Sequence, residues 1–128
     1  MADLCKEINA TVANKVGLLA DATDKVKGAG VNITGLCAWV EGDKGHLRMI
    51  TSDNDKVCQA ISPLMETCEM DEAVVVKAAN TPGALNEIAR KLADAGIDIN
   101  LVYATVTDEP EATVILKTTN NAKAAEIL

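Results

Sequence analysis

The stretch VVVKAANTPGALNEIARKLADAGIDIN, from Val74 to Asn100, reads as a strand, an Asn-Thr-Pro-Gly turn, an amphipathic helix, a glycine stop and a second strand. The same order occurs earlier, in INATVANKVGLLADATDKVKGAGVNIT from Ile8 to Thr34. The two copies align without a gap at an offset of 66 (80 − 14). Asn14 falls on Asn80, Gly17 on Gly83, Leu19 on Leu85, Gly30 on Gly96 and Ile33 on Ile99. Self-similarity of this kind predicts a tandem of two related units, residues 1–70 and 71–128, that act together.

Outward from the first copy, Ile8, Ala10 and Val12 share one face of a strand from Glu7 to Ala13. Leu18, Leu19, Ala22, Val26 and Ala29 recur at helical spacing, and Gly30 suits the residue just past a helix. Val31 to Val40 and Leu47 to Thr51 predict a hairpin about Gly42 and Gly45. Ser52 and Asp53 offer caps for a helix containing Val57, Cys58 and Ile61, which Pro63 ends. Leu64 to Met70 reads as a fourth strand. The order is β-α-β-β-α-β, a ferredoxin-like α/β (α+β) unit with helices on one face of an antiparallel sheet.

The second copy continues in the same way. Glu72 to Ala79 is a strand, and Thr81 is placed to cap a helix with Pro82 in its first position. Leu85, Ile88, Ala89 and Leu92 make its apolar stripe. Ile97 to Val106 and Ala112 to Thr118 form a hairpin about Asp108-Glu109-Pro110, and a last helix runs from Asn120 to Leu128. No fourth strand is evident. The strand Glu72 to Ala79 is then left with an apolar open edge, to be covered by another part of the protein or by a second chain. Leu36, Ala38 and Val40, with Val102, Ala104 and Val106, are the expected core face of the hairpins. Trp39 and Tyr103 fall on the open face, as a candidate dimer contact. Arg48 matches Val114 at the offset of 66 and would point inward. A one-residue slip of the first hairpin or an exposed end is expected, the alternative being a carboxylate partner in a semi-buried site.

Composition excludes several function classes. The net charge of −7 opposes nucleic-acid binding, which needs a basic footprint, and one Trp and one Tyr give no stacking platform. Aromatic content is 2%, which disfavours a catalytic pocket walled by aromatics. No apolar run approaches membrane-spanning length, and MADLCKEINA lacks the layout of a signal peptide, so a cytoplasmic protein without membrane contact is expected. Cys5, Cys37, Cys58 and Cys68 include no C-x-x-C pair and are expected as free buried thiols rather than two disulfides. His46 is the lone histidine, so neither a zinc site nor any other metal or cofactor is expected. No nucleophile–histidine pair or phosphate loop is present, and no catalytic residue is assigned.

The turn itself has chemistry to offer. The first amides of a helix lack intrahelical acceptors and sit at the positive end of its dipole. Glycine removes a side chain that would keep a ligand off that backbone, and Asn carries both a donor and an acceptor. A small anion such as a carboxylate suits this arrangement, at about 1.5–3 kcal/mol per charged hydrogen bond. Asn is equally a preferred helix cap and Gly is frequent where strand meets helix, so a structural explanation stands beside the ligand.

The pattern V-x-x-x-x-N-x-P-G-x-L, a helix and then a-G-I-x-I-N resembles the ACT domain, a β-α-β-β-α-β module that senses amino acids. Both copies are similar to it, the first with Val16 in place of the usual Pro, and the chain as a whole resembles the small stand-alone tandem ACT proteins. The resemblance implies a regulatory, non-enzymatic protein that binds a small amino acid between its units, forms a homodimer and acts on a regulated enzyme. It implies two crossed sites. One combines Asn80, Pro82, Gly83 and Ala84 with Asn32 and Ile33; the other combines Asn14, Val16, Gly17 and Leu18 with Asp98 and Ile99. Asp98 departs from the family's Asn, and its carboxylate would repel a ligand carboxylate but hold an ammonium group. Rival readings are a ligand-free interaction module, and an acylphosphatase, for which neither turn supplies the arginine.

Overall fold

The computed structural model describes residues 2–105 and 109–128. The elements run β1 (Ala2–Ala13), α1 (Leu18–Gly28), β2 (Ile33–Glu41), β3 (Lys44–Thr51), α2 (Asn54–Ile61), β4 (Thr67–Ala79), α3 (Ala84–Asp94), β5 (Ile99–Thr105), β6 (Glu111–Thr118) and α4 (Asn121–Ile127). A 3-10 turn, Ser62–Leu64, holds Pro63 between α2 and β4. The chain divides into two compact units, Lys6–Asp71 and Met1–Cys5 with Glu72–Leu128. Each is α+β with antiparallel strands, as the sequence predicts. Val106 and Asp108, expected in the second hairpin and its turn, lie outside the described residues.

The strands expected at Leu64–Met70 and Glu72–Ala79 are one unbroken strand, β4. No Gly or Pro stands between Thr67 and Ala79 to interrupt it. Within Lys6–Asp71 the strand order is β2-β3-β1-β4, and in the other unit it is β5-β6-β4-β1. The edge of Glu72–Ala79 is therefore not open. The chain's own first residues fill the place of the missing fourth strand, and Ala2 packs against that unit's core.

The core of Lys6–Asp71 lies between sheet and helices, where Ile8, Ala10, Leu47 and Met49 meet Ala22, Val26, Val57 and Ile61. The other unit stacks Val74, Val76, Val114 and Leu116 on Ile88, Leu92 and Ala124. Burial of such side chains contributes about 1.5–3 kcal/mol each. An asparagine fastens the second helix of each unit. Asn54 Oδ1 accepts from Thr51 N and Oγ1, and its Nδ2 donates to Lys6 O at 2.9 Å. Asn121 does the same with Thr118 and Glu72 O. The caps match too: Asp53 accepts from Lys56 N, as expected, and Asn120 from Lys123 N.

The expected core faces are only partly right. Leu36 packs on the core, but Ala38 and Ala104 are exposed, as are Val40 and Val102, because β2 and β5 are edge strands. Leu19 and Leu85 also face solvent, at the same position of α1 and α3.

The offset of 66 becomes 67 by the third strand of each unit (118 − 51), so Leu47 and Met49 take the places of Val114 and Leu116. The one-residue slip thus holds. Arg48 matches Ile115 on the opposite face and is no exposed end, being 6% exposed. Its Nε donates to Glu7 Oε1 at 2.8 Å and its Nη2 to Asp71 Oδ2 at 3.0 Å, while Asn9 Nδ2 also donates to Asp71. Burial alone would lower the Arg48 pKa, but the hydrogen bonds and charges of Glu7 and then Asp71 outweigh it and raise it.

The cysteines correct another expectation. Cys58 of α2 and Cys68 of β4 form a disulfide, with Cα atoms 6.2 Å apart, while Cys5 and Cys37 are half-buried and take no part in it. The strand that follows α2 doubles back beside it, so a spacing that looks unpaired in the sequence becomes bonding distance in space.

Candidate functional site

Two strand-to-helix turns carry the candidate site. Leu18 N donates to Lys15 O and Ala84 N to Thr81 O, each at 3.3 Å. The third residue of each turn is left-handed, Gly17 at φ 88 and Gly83 at φ 87. Among the described residues no non-glycine residue has positive φ, so both are type II turns, with Val16 or Pro82 at the second position. Glycine is thus demanded by the backbone, not only by ligand approach. It is also the N-cap in both cases, with no side-chain cap bond. Thr81 does not cap α3, and Pro82 lies in the turn rather than in the helix. The Asn residues are not helix caps either. Asn14 N donates to Asp43 O and Asn80 N to Pro110 O, which ties each turn to its hairpin loop. The Asn80 Nδ2 also donates to Glu109 O.

Beyond the turn, Asp21 N donates to Gly17 O and Glu87 N to Gly83 O. The amides in the first turn of each helix, of Leu19 and Ala20 and of Leu85 and Asn86, are the ones that a helix start leaves for a ligand.

In Lys6–Asp71 a cavity of about 280 Å³ opens against this turn. Asn14, Lys15, Gly17, Leu18, Leu19 and Ala20 form one wall, and residues 38–40 and 45–47 form the other. Gly45 makes the close approach possible, since a Cβ there would lie 2.8 Å from Leu18 Cδ2. On the hairpin, the Trp39 and His46 rings stack at 4.9 Å and 9°, and Glu41 reaches His46 at 4.0 Å. Trp39 therefore pairs with His46 rather than presenting a bare apolar face. Lys15 brings a cation to the rim, 3.5 Å from Asp21, in an exposed pair of little energetic weight.

Asn14 and Gly17 are exposed at this cavity and Leu18 is buried beneath it, while Val16 is exposed and does not line it. Asn80, Pro82 and Gly83 are exposed and Ala84 half-buried at the second turn. Asn32 and Asp98 are exposed ahead of β2 and β5, and Ile33 and Ile99, the first strand residues, are half-buried. The backbone of Asn32 is held by Ser52 and that of Asp98 by Thr119. Within a unit these groups are not brought together. Asn14 precedes α1 and Asn32 follows it, and a helix of 11 residues separates them by about 16 Å. The hairpin wall from Trp39 to Leu47 was missed by sequence reasoning. Gly45 was visible only as a turn residue, and exposed Leu19 only as part of a helical stripe.

No group of three or more metal-ligating side chains occurs among the described residues, and no described helix is long and apolar enough to cross a membrane.

Residues 73–128 match the family model of the ACT domain. No curated protein matches the chain in sequence. Among solved structures, a protein from Bacteroides thetaiotaomicron is similar at 28% identity and TM-score 0.89, over 99% of this chain and 88% of that one. The ligand-free regulatory subunit of aspartate kinase from Thermus thermophilus is similar at 14% identity and TM-score 0.69, over 98% and 93%. The corresponding subunit from Thermus flavus gives 17% identity and 0.66, over 98% and 90%. At such identities the two kinase subunits speak for the fold. The ACT-domain match over residues 73–128 is what points to a small-molecule-binding regulatory role.

Proposed function

We propose that this protein is a non-enzymatic regulator that binds a free amino acid, with the ligand carboxylate at the strand-to-helix turns. One observation carries the reading. Both turns have the same left-handed glycine, the same turn hydrogen bond and an exposed Leu just inside the helix, although the residues around them differ. A cap needs none of the exposed leucine, whereas a ligand with an apolar side chain uses it.

In this reading Lys6–Asp71 is a second ACT unit. A turn takes the carboxylate on its helix amides and its Asn, and a neighbouring unit supplies the residue ahead of its second strand. Asn32 serves the turn of Asn80 and Gly83, and Asp98 serves the turn of Asn14 and Gly17. The roughly 16 Å length of α1 supports recruitment from a neighbour, since one unit cannot offer both groups to one small ligand. A second copy of the chain and a regulated enzyme are the partners. Binding favours the arrangement in which the parts of a site meet, and that differential affinity is the signal.

The test is a thermal-shift screen of the twenty amino acids on the wild type, Asn14→Ala and Asn80→Ala. Glycine substitutions would not serve, because left-handed backbone strains any side chain. A ligand at one hundred times its Kd should add about 2.7 kcal/mol of stability to the wild type. It should add less to each variant, measured from that variant's own unliganded midpoint. If no amino acid shifts the wild type, or both variants respond in full, the chain is better read as a ligand-free interaction module.

A further inference from the structure

We propose that Cys58 and Cys68 form a reversible redox site, opened by a dithiol reductant, whose state sets how firmly the connection from α2 to β4 is held. The bond ties α2 to β4 across ten positions that include the Ser62–Leu64 turn. Apart from it, this connection is held by Met65, half-buried against the core, and by a few polar contacts. Glu66 N donates to Thr11 O at 2.9 Å, the Thr67 and Thr11 hydroxyls share a hydrogen bond, and Lys44 Nζ lies 2.7 Å from Glu66.

The fold does not need the bond. Val57 and Ile61 of the same helix are fully buried without help from the sulfurs. In the other unit the matching positions are Ala125 and Ala2, at offsets of 67 (125 − 58) and 66 (68 − 2). Both alanines are half-buried against that unit's core, as Cys58 and Cys68 are against theirs. There two methyl groups close the same place with no covalent link. The reduced pair therefore has a folded state to occupy, and the two cysteines are half-buried rather than sealed inside the core.

The chemistry balances with a dithiol as the named reductant. Its thiolate attacks one sulfur, the Cys58–Cys68 bond breaks, a mixed disulfide forms and the other cysteine leaves as a thiolate that takes a proton. The reductant's second thiol then displaces the remaining cysteine. Two electrons and two protons have passed to Cys58 and Cys68, and the reductant leaves as its own disulfide.

The test uses the full chain in graded mixtures of reduced and oxidised dithiothreitol, with free thiols trapped by a maleimide and located by peptide mass. Cys58 and Cys68 should become labelled together while the far-ultraviolet circular dichroism is unchanged. The melting midpoint should fall by roughly 10 °C, amide exchange at Glu66 should quicken, and reoxidation should restore both. A Cys58→Ala, Cys68→Ala protein should behave like the reduced form in every mixture. Labelling only where the circular dichroism is lost would make the bond a permanent staple. Labelling of both cysteines in the oxidised protein would remove the bond, and an unchanged midpoint and Glu66 exchange on reduction would remove the switch.

Discussion

On the face of β3 turned from the helices, Lys6–Asp71 carries Arg48 held by Glu7 and Asp71. At the matching positions of the other unit stand Ile115, Ala73 and Cys5, with Ile115 and Ala73 buried. Cys58 and Cys68 are likewise matched by Ala125 and Ala2, and Gly45 by Ala112. Fillings differ, yet the turn glycines, the fastening asparagines and the exposed leucines of α1 and α3 are the same. Packing in this fold tolerates exchange of an ionic cluster for apolar side chains, as buried ion pairs generally do. What both units keep is the geometry around the turn, and there the binding reading rests.

The ionic cluster offers the most forceful way to break the comparison. Arg48→Ile alone strands the buried Glu7 carboxylate and should cost about 3 kcal/mol or more in urea unfolding. Adding Glu7→Ala copies two of the other unit's three residues and should recover most of that loss. If the double variant is no more stable than the single one, the two faces are not interchangeable.

Gly17→Ala and Gly83→Ala should each lose about 1–2 kcal/mol, since both force a side chain into left-handed backbone. Equal losses in chemical denaturation sharpen the match between the turns, whereas a cost at only one would break it. Asn54→Ala and Asn121→Ala each remove a helix-to-strand fastening and should cost about 1 kcal/mol apiece.

Much of this was legible in the sequence, and the reasons it was not complete are physical. The turn could be read because left-handed glycine and the helix period are local demands. The expectation that Thr81 caps α3 failed because the type II turn places Gly83 at the N-cap and Thr81 two residues too early. The fourth strand of the second unit was invisible because residues 2–5 supply it from the far end of the chain, and no local pattern records a long-range pairing. Arg48 was ambiguous because one residue of difference between the two units reverses a strand's faces, and only the register shows where the offset changes. The Cys58–Cys68 bond depends on where β4 doubles back, which spacing does not encode. Of the candidate site, the sequence shows the two turns but not the hairpin wall with Trp39, Gly45 and His46, since that wall meets the turn only through the sheet.

The smallest effect concerns the second position of the two turns, Val16 in one and Pro82 in the other. Val16→Pro gives the first turn the second residue of its twin and should stabilise by about 0.4–1 kcal/mol, through the unfolded chain. A loss instead, read from the melting midpoint, would mean that the first turn's backbone is not that of Thr81–Ala84.

Calorimetric titration of the amino acid selected by thermal shift, into wild type and into an Asn14→Ala, Asn80→Ala protein, bears most directly on the central claim. The account predicts saturable binding to the wild type and an affinity roughly ten- to a hundredfold weaker in the double variant, the loss of a charged hydrogen bond at each turn. Equal affinity in the two proteins, or no binding of any amino acid to the wild type, would contradict it.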